Sequence, residues 1–150
     1  MLIQFRLAWL KPGTRLLKGF KIEPAGLLFK EYIDRISKFN PCETAGLSLK
    51  GNKKTSGILR WICDRQGKAI SSEGLATQLQ TAMDQGTKQL EIIIGGPDGF
   101  SNSEIEALSP DLQWSFGPLT FPHELAAVVA AEQIYRVWTI IRKMPYHLGH

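Results

Sequence analysis

The apolar run Leu90-Glu91-Ile92-Ile93-Ile94 stops at Gly95-Gly96-Pro97-Asp98-Gly99, and this junction constrains the fold more than any other part of the chain. A short apolar run bounded by turn residues reads as a buried strand. The spacing Ser101-Asn102-Ser103-Glu104 follows at once and predicts a capping box opening a short helix to about Leu108. Strand, glycine loop and helix in that order belong to an α/β sheet, and the carboxyl ends of such strands are where ligands bind.

The same alternation recurs along the chain. Ile3, Phe5, Leu7 and Trp9 alternate with Gln4, Arg6 and Ala8, which predicts a strand with one buried face that Lys11-Pro12-Gly13 ends. Pro24 suits the first turn of a helix, and Ala25, Leu28, Phe29, Tyr32, Ile36 and Phe39 supply its apolar stripe. Asn40 to Gly57 is polar and reads as a loop, with Lys50, Lys53 and Lys54 either solvated or set to touch an RNA backbone. Ile58 to Asp64 is a second strand and Arg65-Gln66-Gly67-Lys68 its turn. Ser72 is the expected cap of a second helix, with Glu73 in its first turn, an apolar stripe of Leu75, Leu79, Ala82 and Met83, and a stop at Gln85-Gly86. Ser109-Pro110-Asp111 breaks the short third helix, Leu112 to Phe116 is the fourth strand, and the final helix begins near Pro122-His123. The expected fold is a single α/β domain with a mostly parallel sheet and helices on both faces.

A length of 150 residues is enough for one real core, and 43% hydrophobic with 21% charged residues excludes a disordered chain. The net charge of +4 favours an anionic partner, nucleic acid being the commonest, although many proteins of this charge touch no RNA. Cys42 and Cys63 form no CxxC pair; Cys63 sits in an apolar run as a small core residue, which suits a reducing cytoplasm better than a disulfide. Those cysteines and the scattered His123, His147 and His150 have no metal-ligand spacing, so no metal is expected. Met1 to Leu10 is too short and too interrupted for a signal or a membrane span. Leu125 to Ile141 is broken by Glu132, Gln133 and Arg136, which makes it a buried helix with no membrane expected.

Several segments carry chemistry. Gly95-Gly96 lets backbone groups approach a ligand closely, but the loop lacks GxGxxG and the lysine of a P-loop, so it suits a phosphate-free nucleoside if it is more than a tight turn. Phe116-Gly117-Pro118-Leu119-Thr120-Phe121 is a second glycine-containing strand end, and two such loops could hold an adenine between backbone and apolar side chains. In the last helix Ala127, Ala130, Ala131, Ile134, Trp138 and Ile141 form one stripe, while Leu125, Val128, Val129, Tyr135 and Val137 cover other sides. Such a helix is buried on more than one side, against a second subunit or at the centre of a monomer core. His123 reads as a cap, a base-orienting group or a proton acceptor, and Glu132 and Arg136 as an intrahelical pair.

Taken in order, the two glycine loops, Glu132-Gln133-Ile134-Tyr135-Arg136 and the ending Pro145-Tyr146-His147 resemble the RlmH family of SPOUT-class methyltransferases, densely from Trp61 to His147. The resemblance implies a C-terminal trefoil knot, a homodimer built largely on the last helix, and methyl transfer from S-adenosyl-L-methionine to ring nitrogen 3 of a pseudouridine in large-subunit ribosomal RNA. Carried over by position, Cys63, Gly95, Gly96 and Phe116, Gly117, Pro118, Leu119, Thr120 and Phe121 hold the cofactor, mostly through the main chain. Arg136, Tyr146 and His147 lie near the transfer site, the tail coming from the partner subunit; Tyr146 could stack on a base, and His147 or His123 could take the proton. Two departures stand out. Ala127 replaces the arginine of a His-x-x-x-Arg pattern, and the stretch between Asn40 and Ile58 is short enough for a second helix to be missing or reduced. The departures leave room for a related RNA methyltransferase with a shifted substrate, or for an inactive nucleoside- or RNA-binding relative.

Overall fold

The computed structural model describes residues 1–48 and 53–148, so Lys50 and His150 lie outside the described part. Five strands form one parallel sheet in the order β2-β1-β4-β3-β5. In chain order these are β1 (Leu2–Leu7), β2 (Cys42–Gly46), β3 (Ile58–Ala69), β4 (Gln89–Ile94) and β5 (Leu112–Ser115). The helices are α1 (Glu23–Ser37), α2 (Ser72–Asp84), α3 (Asn102–Leu108) and α4 (His123–Ile141), with a single 3-10 turn at Leu16–Gly19. Register aligns Leu7 with Ile94, Ile94 with Cys63, and Cys63 with Trp114, so β1, β4, β3 and β5 reach one common edge.

Period two decides what each sheet face meets. Ile3, Phe5 and Leu7 of β1 and Leu90, Ile92 and Ile94 of β4 join the core made with α1, α2 and α4. Ile62 and Ile93 face the other way, into a smaller cluster with Leu47 and Leu108 under α3. Helices therefore cover both faces, as expected. Toward β1 and β2 the second face is polar. Gln4 donates to Glu43, and Glu91 is paired with Arg6 at 3.0 Å and with Arg60 at 3.1 Å. Arg60 is almost wholly buried and also donates to the Leu108 carbonyl, so the charges of this cluster are compensated where they leave water.

Four sequence expectations need correction. Cys42–Gly46, inside the stretch read as a loop, is the edge strand β2, paired residue for residue with β1 from Ile3↔Cys42 to Leu7↔Gly46. CETAG has little strand preference of its own, and its neighbour imposes the conformation. The cap of α2 is Ser71, whose hydroxyl accepts from the Gly74 N–H; Ser72 instead donates to Gln133 of α4. On α1 the buried stripe runs Gly26, Phe29, Ile33 and Ile36, leaving Leu28 45% exposed. Arg65 to Lys68 does not end β3: Trp114 of β5 pairs with both Cys63 and Lys68, so the intervening residues arch out of a continuing strand.

α4 lies between α1 and α2, and Ala127, Ala130, Ala131, Ile134, Val137 and Trp138 are all buried within one chain. Of the two readings left open for this stripe, these residues fit the one at the centre of the chain's own core. Ala127 belongs to the same core, so in this chain its position faces packed side chains.

Candidate active site

A cavity of about 800 Å³ opens at the carboxyl ends of β3, β4 and β5. Its floor is Ile94, Cys63 and Trp114, the residues that the register aligns. One wall is the loop Gly95–Gly99, the other the loop from Phe116 to Pro122, and His123 and Ala126 of α4 complete it. A nucleoside-sized ligand fits this volume.

Local rules shape both walls. Gly96 and Gly99 pair across a tight turn in which Gly99 has φ +65°. A Cβ on Gly95 would lie 3.1 Å from the Phe100 ring and 3.3 Å from the Gly99 Cα, so a side chain there would press on the loop's own packing. In the second wall Gly117 has φ +103°, and the Ser115 hydroxyl both accepts from the Gly117 N–H and donates to its carbonyl, fixing the turn out of β5. Phe116 packs edge-on against Trp114 and Phe121, giving the cavity an aromatic side. Burial pushes the Cys63 thiol well above its ordinary range, so it stays protonated near neutral pH.

Of the expected cofactor residues, Cys63, Gly95, Gly96, Phe116, Gly117, Leu119, Thr120 and Phe121 line the cavity, and Pro118 sits in the same loop without lining it. His123 also lines it. The helix cap is Pro122, so His123 does not cap; its ring meets Trp9 edge-on at 4.6 Å, and its Nε2 lies 3.7 Å from Glu124. Sequence reading missed the arch Asp64-Arg65-Gln66, which reaches the cavity rim, where Arg65 donates to the Thr120 hydroxyl at 2.7 Å. The signal was Gly67, whose Cβ would strike the Gln113 carbonyl: a glycine inside a strand pattern marks a bulge. Trp9 was missed as a support of His123 because the two are distant in sequence, and Glu124 because its hydrogen-bond partners Lys21 and Ile22 are.

Arg136, Tyr146 and His147 come together elsewhere. Arg136 pairs with Glu132 at 3.0 Å and lies over the Tyr146 ring, whose hydroxyl donates to Glu132. Desolvation and the neighbouring Tyr32 and Glu132 push the Tyr146 phenol up, so it remains neutral. Arg136 lies 3.1 Å from His147 Nδ1, and because arginine only donates, that nitrogen must carry the lone pair. Nε2 then donates to Glu73, whose carboxyl this bond holds below its usual range. From His123 to Arg136 the helix rises roughly 20 Å, at about 1.5 Å per residue, so this cluster does not line the cavity of its own chain. Of the lysine cluster, Lys54 is held by Asp111 and the Ser109 carbonyl, and Lys53 is exposed. Both cysteines are free thiols, Cys42 being pushed up to about 12 by burial and by Glu43. Among the described residues no helix is long and apolar enough to cross a membrane and no group of three metal-ligating side chains occurs.

A family profile described as "Predicted SPOUT methyltransferase" matches residues 20–147. The protein named Ribosomal RNA large subunit methyltransferase H from Maricaulis maris is 34% identical over 149 residues, covering 87% of this chain and 94% of its own. The chain belongs to the SPOUT methyltransferase family, among the large subunit methyltransferase H proteins. The like-named protein of Koribacter versatilis is 37% identical over 127 residues, 80% of this chain and 86% of its own. That of a Psychrobacter species is 43% identical over 90 residues, 60% of this chain and 54% of its own. The parallel α/β sheet is the fold expected of that family from the sequence.

Proposed function

We propose that this protein is an S-adenosyl-L-methionine-dependent methyltransferase of large-subunit ribosomal RNA, acting on ring nitrogen 3 of a pseudouridine as a cytoplasmic homodimer. One observation carries the reading: in a chain of this family, the cavity at the strand ends is walled by glycine-rich backbone and aromatic rings. Backbone N–H and C=O groups of Gly95–Gly99 and Phe116–Phe121 suit adenine and ribose, and Arg65, the one basic side chain other than His123 lining the cavity among the described residues, is engaged with the Thr120 hydroxyl at the rim. When bound, the cofactor supplies an electrophilic sulfonium methyl group for in-line displacement.

The chain's own residues do the rest. Phe116, Phe121 and Trp114 exclude water, while the two loops hold the reacting partners in line. His123 reaches the cavity and takes the ring-nitrogen proton. The neutral Cys63 thiol makes a neutral floor and no competing nucleophile. Arg136, Tyr146 and His147 serve the cavity of a second copy, because their own is roughly a helix length away. Ile22, Leu119 and Leu125 are exposed at the cavity end of α4, with Ile22 tied to Glu124, and offer the apolar surface of that dimer. The trefoil knot is part of the same inference and rests on family membership.

Calorimetry with S-adenosyl-L-methionine, then methyl transfer to large ribosomal subunits lacking the modification, tests the reading. The expected result is metal-independent binding and one methyl group at a pseudouridine. Binding without transfer to any RNA would leave a nucleoside-binding relative, and no binding would remove the cavity's role. Transfer to another nucleotide would favour a shifted substrate, the second reading, which the short Asn40–Ile58 stretch and the core position of Ala127 support.

A further inference from the structure

The charge of this chain is unevenly placed. Arg6, Lys11, Arg15, Lys18 and Lys21 precede the first acidic residue, Glu23. The last four of these cations lie in the segment joining β1 to α1; all are exposed, and none forms an ion pair or side-chain hydrogen bond among the described residues. The lysines between Asn40 and Gly57 do not compete for the same role as a group, since Lys54 is neutralised by Asp111.

This segment is a fixed platform. Leu10 and Phe20 are buried beneath it, and the Trp9 indole donates to the Gly19 carbonyl at 2.8 Å. Glu124 accepts from the Lys21 and Ile22 N–H groups and ties its far end to α4. The platform adjoins the active-site cavity, because Trp9 packs on His123 and lies behind Gly96. On its other side a groove of about 640 Å³ runs between Thr14-Arg15 and the end of β2, with Arg6 and Ser48 in its walls. Free cations held beside a cavity that takes a base are the requirement for gripping a polyanion whose reacting base enters that cavity.

We propose that the segment from Lys11 to Lys21 binds the phosphate backbone of the RNA substrate and leads it to the cavity, an assignment that rests on the RNA methyltransferase reading above. Phosphates meet Lys11, Arg15, Lys18 and Lys21, and exposed Leu17 faces the same strand. Ala127, buried in the core, contributes no charge to this task.

The test compares the unaltered protein with a K11Q/R15Q/K18Q/K21Q variant and with K11R/K18R/K21R. The probes are a fluorescein-labelled hairpin RNA and unmodified large ribosomal subunits. The glutamine variant should bind the hairpin at least about tenfold more weakly, and the slope of log affinity against log salt should fall by ~0.7–0.9 per cation removed. KM for the subunits should rise, with kcat at saturation and S-adenosyl-L-methionine affinity nearly unchanged. The arginine variant should behave like the parent. Unchanged hairpin affinity and salt slope in the glutamine variant would overturn the platform while leaving the methyltransferase reading intact. A parent protein that neither binds the hairpin nor methylates the subunits would overturn both.

Discussion

Glu124 is 3% exposed and accepts from the backbone N–H groups of Lys21 and Ile22, so one carboxylate closes the entry to α1 from the first turn of α4. Removing it takes the acceptor from two part-buried N–H groups. Glu124→Ala should cost about 1–3 kcal/mol, read as a lower denaturant midpoint at unchanged m-value. The His147–Glu73 contact behaves differently because Glu73 is at the surface. Its folded carboxyl value is depressed, so the stability from this contact is complete above the unfolded value of about 4.3 and vanishes as pH falls through the lower folded one. The Glu73 carboxyl carbon should therefore titrate below the unperturbed value of about 4.3 in a carbon-13 titration, and His147→Ala should bring its midpoint back toward that value. The sequence made His123 and His147 visible as imidazoles near loops. It could not show that both His147 nitrogens are engaged or that Trp9 backs His123, because those partners come from elsewhere in the chain.

Among the elements, the loop after β4 is the most sensitive to small changes. A methyl group at Gly95 would sit 3.1 Å from Phe100, so the turn must shift by a few tenths of an ångström to admit it. Gly95→Ala should lower S-adenosyl-L-methionine affinity about tenfold for a loss of about 1 kcal/mol in stability, measured by calorimetry and denaturation. Affinity equal to the parent's would mean that this loop does not shape the cofactor site. The strands β1, β4 and β5 and the capping box of α3 were legible because period two and S-x-x-E report local geometry. β2 was not, since CETAG is extended only where β1 lies beside it. The arch in β3 was read as a turn ending the strand, whereas the strand resumes at Lys68, still parallel to β5.

For the whole molecule, one part of the apolar surface left open lies at the start of α4, where Leu125 is 42% and Leu119 66% exposed, and another on α1 at Leu27 and Leu28. Leu125→Glu should give a folded monomer by sedimentation if that end forms the dimer, while Trp138→Glu should unfold the chain because its site is 3% exposed. Deleting Tyr146 to His150 should leave cofactor affinity unchanged and lower transfer about a hundredfold. A heterodimer of that deletion with Gly95→Val should then regain one working site, and no recovery would assign each tail to its own subunit. The cavity was legible from two glycine loops at strand ends, whereas the separation of the tail from it depends on the direction of α4 across the sheet. The tie between Lys21 and Glu124 spans 103 residues of sequence, and α4 fills the space between α1 and α2. A growing chain emerging from its ribosome thus presents the apolar sides of β1 and α1 long before their cover is made. Folding of the first half must await synthesis of the last helix, which makes acquisition of the native state slow and leaves the nascent protein dependent on protection from aggregation.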